Sequence, residues 1–221
     1  MSRTYLGIDF GTGNCSAAFV TDDPRLRDQP YVRVETITIT HGDSTRVTRT
    51  PSVMITEGKQ LLRGWPARLA WIGRGLSAVA EVITSPLSRK KRPLLRHGST
   101  LFASVKSDLG THRTYAYSQA PGCSTPVIAA SHIIRTILDE IATSLRGVDI
   151  TECEVTLTVP ASASALARTE TIEAAVMAGL NRDRIHLIDE PIAALIDHLN
   201  GASAPVSLDE NAPTNIMVFD Y

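Results

Sequence analysis

Asp9, Lys106, Glu190 and Asp220 are the residues whose types and settings suit phosphate and metal chemistry. Asp9 lies in the run Gly7-Ile8-Asp9-Phe10-Gly11-Thr12-Gly13-Asn14. An apolar strand delivers the carboxylate at its end, and a tight turn with two glycines follows. Backbone N–H groups in such a turn face inward and suit phosphate oxygens. Gly11 and Gly13 are expected to supply close approach and positive φ angles, while Thr12 and Asn14 add polar side chains. Asp9 is then set to hold the water shell of Mg²⁺, which prefers one or two carboxylates together with phosphate. A plain β-turn with Asp9 as its acceptor is the other reading of these residues. The segment is not a P-loop, because no GxxxxGK(S/T) leads into a helix.

Lys106 lies in Leu101-Phe102-Ala103-Ser104-Val105-Lys106-Ser107-Asp108-Leu109-Gly110. It suits contact with a terminal phosphate, although a surface lysine is the commoner use of the residue. Glu190 sits between the expected strand Ile185–Ile188 and a helix opened by Pro191. The carboxyl end of a sheet strand is where α/β proteins hold ligands, and a carboxylate there suits orientation of water in phosphoryl transfer. Asp189 and Glu190 equally suit stabilisation of a helix N-terminus. The run Ile216-Met217-Val218-Phe219-Asp220 repeats the pattern of an apolar strand ending on aspartate. Two such strands would flank one metal-phosphate centre, and a turn-capping aspartate is the alternative.

These residues need a frame. Tyr5–Asp9 and Asn14–Val20 read as two strands of a hairpin. Val32–Thr40, rich in β-branched residues, reads as a third strand, and Thr50–Thr56 as a fourth. Pro66–Arg74 reads as a short helix. The run Arg89-Lys90-Lys91-Arg92 has no interleaved aromatic residue and reads as a solvated loop rather than a nucleic-acid contact. From Val127 to Leu145, apolar residues at Val127, Ala130, Ile134, Ile137, Leu138, Ile141 and Leu145 mark one buried helical stripe. Then follow strand Glu154–Val159, helix Ala165–Ala178, strand Ile185–Ile188, helix Pro191–Leu199 and a last strand Asn215–Asp220. A hairpin-rich start followed by strand-helix alternation predicts an α/β fold with a mixed sheet and packed helices.

The bulk numbers narrow the function. The chain has 221 residues, 43% apolar and 20% charged, with 22 basic and 23 acidic residues and a formal net charge of −1. Such a balance gives no global field toward nucleic acid or an acidic membrane. Cys15, Cys123 and Cys153 are widely spaced, with no CxxC, which argues against a disulfide framework or a structural zinc site. The start has no signal-peptide layout, and no run approaches the ~18 apolar residues of a membrane span. The expectation is a reduced, cytoplasmic protein.

Taken in order, these segments resemble the nucleotide-binding domain of the seventy-kilodalton heat-shock chaperone family (heat shock protein 70). Gly7–Asn14 with Cys15-Ser16-Ala17-Ala18 is similar to its first phosphate loop, and Thr50-Pro51-Ser52-Val53 to its TPS-V strand. Thr100–Gly110 is similar to the TLFA…K…LG segment, and Leu157-Thr158-Val159-Pro160-Ala161 with Arg168 to TVPA…R. Asp189-Glu190-Pro191-Ile192-Ala193-Ala194-Leu195 is similar to the NEP-AA element, and Val218-Phe219-Asp220 to the start of the second phosphate loop.

The resemblance implies an actin-like ATPase lobe of ribonuclease H-like fold. Its core would comprise residues 1–54 and 125–221, with a smaller subdomain inserted at 55–124. ATP or ADP and Mg²⁺ are the implied cofactors. Asp9 and Asp220 would hold the metal through water, and Gly11, Thr12, Gly13 and Asn14 would lie on the phosphates. Lys106 would stabilise charge on the γ-phosphate, and Glu190 would help position the attacking water. Pro160 and Arg168 would form the relay between nucleotide state and a substrate-binding domain. The partners implied through a longer parent are client proteins and co-chaperones, with no nucleic acid and no membrane. Gly13 stands where the family usually has threonine, and Ser162-Ala163-Ser164 where an aromatic pair is common, which suggests a divergent bacterial-type relative. The second lobe and any substrate-binding domain lie outside the sequence, so this chain is expected to be incomplete as an ATPase. Other expectations on the same fold are a non-enzymatic nucleotide-sensing or protein-interaction module, an actin-like filament former or a sugar kinase.

Overall fold

The structure is a computed structural model and describes residues 3–22, 35–41, 45–57, 60–84, 99–115, 123–145, 147–200 and 216–218. The first strands are β1 (Thr4–Phe10), β2 (Asn14–Thr21), β3 (Glu35–Thr36), β4 (Ile39–His41), β5 (Thr45–Val47), β6 (Thr50–Pro51), β7 (Val53–Glu57) and β8 (Gln60–Arg63). Helix α1 (Gly64–Thr84), strand β9 (Ser99–Ala103) and helix α2 (Pro126–Ser144) come next. The chain continues through β10 (Glu154–Val159), α3 (Ala165–Met177), β11 (Ile185–Asp189) and α4 (Glu190–Asn200).

The main sheet has the order β11-β10-β1-β2-β3, with β6 also paired to β2. Strands β1, β10 and β11 run parallel, whereas β1-β2-β3 is antiparallel. The fold is therefore α/β with a mixed sheet and flanking helices, as the alternation of elements predicts. Alternation along each strand sets one face inward. Leu6, Ile8 and Phe10 on β1, and Val155, Leu157 and Val159 on β10, are all buried, and the register pairs Leu6 with Val155 and Ile8 with Leu157. Ala130, Ile133, Ile134, Ile137 and Ile141 of α2 join the same cluster. Each of the Val, Leu, Ile and Phe side chains among these contributes about 1.5–3 kcal/mol by leaving water. Helix α2 starts where Thr125 accepts a hydrogen bond from the Ile128 amide, with Pro126 in its first turn, a position that tolerates the missing N–H.

A second sheet, β8-β7-β9, is antiparallel throughout. Its two faces go to different places. Val53 and Ile55 meet Ala67 of α1 in a small cluster, while Met54 and Phe102 point into the main core. The short sheet β4-β5 is separate.

Several expectations change. The strand expected over Val32–Thr40, as far as it is described, is broken. Glu35–Thr36 pairs with β2, then the Ile37 amide donates to Ala17 O at 2.8 Å and the Ile37 side chain is buried. The chain then leaves to pair Ile39–His41 with β5. The strand expected over Thr50–Thr56 also breaks, at Ser52, with β6 in the main sheet and β7 in the second. The helix expected over Pro66–Arg74 runs from Gly64 to Thr84. Of the last expected strand, the described residues Ile216–Val218 are not in a strand. Arg89–Arg92 and Asp220 lie outside the described residues. Among the described residues, no helix is long and apolar enough to cross a membrane.

Candidate functional site

The carboxyl ends of the parallel strands β1, β10 and β11 lie side by side, and the turn between β1 and β2 opens at the same edge. Asp9 is exposed on β1, on the face opposite the buried Ile8 and Phe10. The register that pairs Ile8 with Leu157 sets Thr158 beside it, and the Thr158 hydroxyl donates to Asp9 Oδ1 at 2.8 Å.

The turn Gly11–Gly13 is tight, but not for the reason expected. Neither Gly11 nor Gly13 is among the residues with positive φ. A Cβ on Gly11 would instead lie 2.2 Å from the Asn14 carbonyl oxygen, whereas one on Gly13 would meet nothing within 4 Å. Close approach alone requires the first glycine, and neither space nor φ requires the second. Thr12, Gly13 and Asn14 are exposed.

Ser52 anchors this turn from the break between β6 and β7. Its amide donates to Gly13 O at 3.0 Å and its hydroxyl to Gly11 O at 2.7 Å. The Cys15 sulfur lies 3.2 Å from the same hydroxyl. Burial pushes the Cys15 thiol up to about 11, against a smaller lowering by the Ser52 hydrogen bond, so Cys15 is an inert packing group at neutral pH. Nothing in residue type marks Ser52 as an anchor, although it lies within the run Thr50-Pro51-Ser52-Val53.

Lys106 belongs to a short 3-10 turn, Val105–Asp108, that follows β9. Its side chain is buried, and its Nζ makes an ion pair with Glu190 Oε1. The same ammonium donates to Thr158 O at 3.3 Å and stands 5.5 Å from the centre of the Phe10 ring. A buried ammonium requires such partners, because an uncompensated one carries a large desolvation cost. Glu190 is the first residue of α4, directly after β11. Asp9, Thr158, Lys106 and Glu190 thus form one polar chain along the strand ends. Thr158, within that chain, and Phe10, beneath the Lys106 ammonium, are the residues that motif reading missed. The alternating pattern of β10 and β1 carried them, but only strand register reveals that they meet the site.

Pro160 follows β10, and its carbonyl accepts from the Ala163 amide at 2.9 Å. Arg168, on α3, pairs with Asp189 at 2.5 Å and donates from Nε to Ala163 O at 3.3 Å. Arg168 therefore touches the residue before Glu190. Asp220 lies outside the described residues.

Among the described residues, no group of three or more His, Cys, Asp or Glu side chains gathers for direct metal ligation. A lone exposed carboxylate beside a turn suits Mg²⁺ held through water and phosphate, the manner in which that ion usually binds. Compared with known proteins, the chain matches no family model and no curated protein.

Proposed function

We propose that this chain is part of an ATP-binding, slowly ATP-hydrolysing domain of the actin-like, ribonuclease H-like kind, related to the seventy-kilodalton heat-shock chaperones. One observation carries the reading. Lys106 and Glu190, 84 positions apart, meet at the carboxyl ends of parallel strands beside Asp9 and the Gly11–Asn14 turn. The strand order, with an antiparallel meander β1-β2-β3 followed by parallel β10 and β11, supports the ribonuclease H-like frame.

The roles follow from the chemistry of these residues. The turn Gly11–Asn14 offers backbone N–H groups to the phosphates. Asp9, oriented by Thr158, holds the water shell of the metal. When bound, Mg²⁺ would neutralise charge on the phosphate oxygens. Lys106 turns its ammonium from Glu190 to a γ-phosphate oxygen, where it stabilises the charge that builds during transfer. Glu190, released from that pair, orients a water molecule for in-line attack. The water oxygen bonds to the γ-phosphorus, the bond to the β,γ-bridging oxygen breaks, and its electron pair leaves with ADP. The water proton passes to Glu190 or to the phosphate formed. Arg168, through Asp189, couples Glu190 to α3, a route by which a client-binding region of a longer parent would sense the nucleotide.

Hydrolysis of radiolabelled Mg-ATP by a longer parent that carries both lobes tests the assignment. Lys106→Ala and Glu190→Ala are each expected to lower turnover by about 10²-fold or more, the scale of losing one transition-state partner. Turnover unchanged in both variants would remove these residues from the mechanism. The closed Lys106–Glu190 pair also favours a second reading, a nucleotide-sensing module without turnover. Calorimetry with Mg-ATP separates the two: heat of binding without phosphate release supports the second.

A further inference from the structure

We propose that Glu170, on α3, is a positioning residue that fixes the Lys106 ammonium by clamping the loop that carries it. The role at phosphate rests on the ATP-site reading above, whereas the clamp itself does not. The Lys106 loop is short and conformationally demanding. It leaves β9 through Ser104 at φ 57° and ends at Gly110 at φ 77°. Between them the 3-10 turn is closed by Ser107 N donating to Ser104 O at 3.0 Å and Leu109 N donating to Lys106 O at 3.2 Å. A single 3-10 turn has poor hydrogen-bond geometry and little intrinsic stability. A non-glycine residue held in the left-handed region persists only where its surroundings impose it.

Helix α3 supplies that constraint. The Gly110 amide donates to Glu170 Oε2 at 2.5 Å, a charge-assisted bond roughly twice as strong as a neutral one. Gly110 is seated against the first turn of the helix. A Cβ there would lie 2.8 Å from Ser164 Oγ and 2.9 Å from both Ala167 Cβ and Ala167 N. Leu109, beside it, is in the main core. Two positions earlier on the same helix, Arg168 pairs with Asp189, the residue before Glu190. Helix α3 thus holds the two sides of the Lys106–Glu190 pair, one through Glu170 and Gly110 and the other through Arg168 and Asp189. Glu170 touches neither Lys106 nor a phosphate and acts only through the loop.

The test uses Glu170→Ala and Glu170→Gln, with exchange and acylation read in this chain and turnover read in a longer parent that carries both lobes. Gln keeps an acceptor oxygen for the Gly110 amide and Ala does not. The readouts are amide exchange at Gly110, acylation of Lys106 measured by mass spectrometry against Lys59, Lys90 and Lys91, and Mg-ATP turnover. Glu170→Ala is expected to speed Gly110 exchange and Lys106 acylation about tenfold, and to lower kcat about tenfold while KM changes by less than about twofold; Gln should restore most of each. A Gly110 amide that exchanges at the unprotected rate in the unaltered protein overturns the clamp. So does wild-type Lys106 acylation in the Ala variant. If the Ala variant does not fold, exchange at Gly110 in the unaltered protein and in the Gln variant decides the matter. If exchange and acylation respond as expected while a longer parent carrying both lobes neither binds nor hydrolyses ATP, the clamp stands and the ATP reading falls.

Discussion

Lys106 and Glu190 form an unequal pair. The lysine side chain is 5% exposed and the glutamate side chain 24%. Removing either partner should therefore not cost the same. Without Glu190, the ammonium's partners among the described residues are Thr158 O and the face of Phe10, in a buried position. Without Lys106, the carboxylate still has a path to water. Breaking a buried ion pair from one side costs roughly 3–5 kcal/mol when the remaining charge is trapped. Glu190→Ala is expected to lose about that much, and Lys106→Met, which keeps the aliphatic stem, distinctly less. Urea unfolding midpoints of the two variants give the comparison, and equal losses would refute the asymmetry. The residue types of this pair are visible in the chain, as a lysine in an apolar loop and a glutamate before a helix proline. Their contact is not, because it depends on α3 and the sheet bringing two remote segments together. Thr158 and Phe10 were hidden differently: both read as ordinary strand residues until strand register fixes their neighbours.

At the scale of elements, the break at Ser52 controls the Gly11–Gly13 turn. Thr50 and Pro51 pair with Cys15 and Asn14, and Ser52 then spends its amide on Gly13 O and its hydroxyl on Gly11 O. That leaves the chain to begin a new sheet at Val53. Ser52→Ala removes one donor from the Gly11 carbonyl and should cost about 1–3 kcal/mol of stability. It should also weaken Mg-ATP binding by loosening the turn, while Ser52→Thr retains the hydroxyl and both properties. Unfolding midpoints and a nucleotide titration check this, and an alanine variant with wild-type values in both would show the anchor to be idle. A strand's alternation does not reveal such a break, because Val53 and Ile55 continue the pattern after the pairing partner has changed. Helix α1 was under-read for another reason. Gly73 and Gly75 lie in its interior, each lowering helix propensity by about 1 kcal/mol relative to alanine. Packing of Ala67 against Val53 and Ile55 stabilises the helix regardless. By contrast α2, α3, α4, β10 and β11 follow their sequence periodicity to within about one residue at each end. The helices have a buried stripe, or a cap or proline at their start, β10 has a buried face, and β11 packs Ile185 and Leu187 against the core.

At the scale of the whole molecule, four weakly acidic groups of the described residues gather at one core. Cys15, Cys123 and Cys153 are buried free thiols of the main cluster, and Tyr115 packs against it, edge-on to Phe102 with ring centres 5.1 Å apart. Burial pushes the Cys15 thiol from 9.0 up to about 11, and burial likewise raises Cys123 and Cys153. Tyr115 is raised by burial and by its 2.8 Å hydrogen bond to the Asp108 carboxylate. All these shifts have the same sign. Above pH 9 the unfolded chain releases protons that the folded chain still holds, so unfolding gains free energy with each further rise in pH. Stability from these groups is complete below pH 9 and is lost as pH climbs through the folded values. Cys15 alone should account for about 3 kcal/mol over two pH units, at roughly 1.4 kcal/mol per unit. Urea midpoints measured under reducing conditions should therefore hold steady from pH 7 to 8.5 with respect to these groups and fall steeply from pH 9 to 11. Cys15→Ala should unfold at a lower midpoint at pH 7, because it leaves a gap beside Ser52, yet show a shallower alkaline decline. A decline equally steep in that variant would mean that the thiol beside the Gly11–Gly13 turn ionises as readily folded as unfolded, and that the turn is more open to water than its packing indicates.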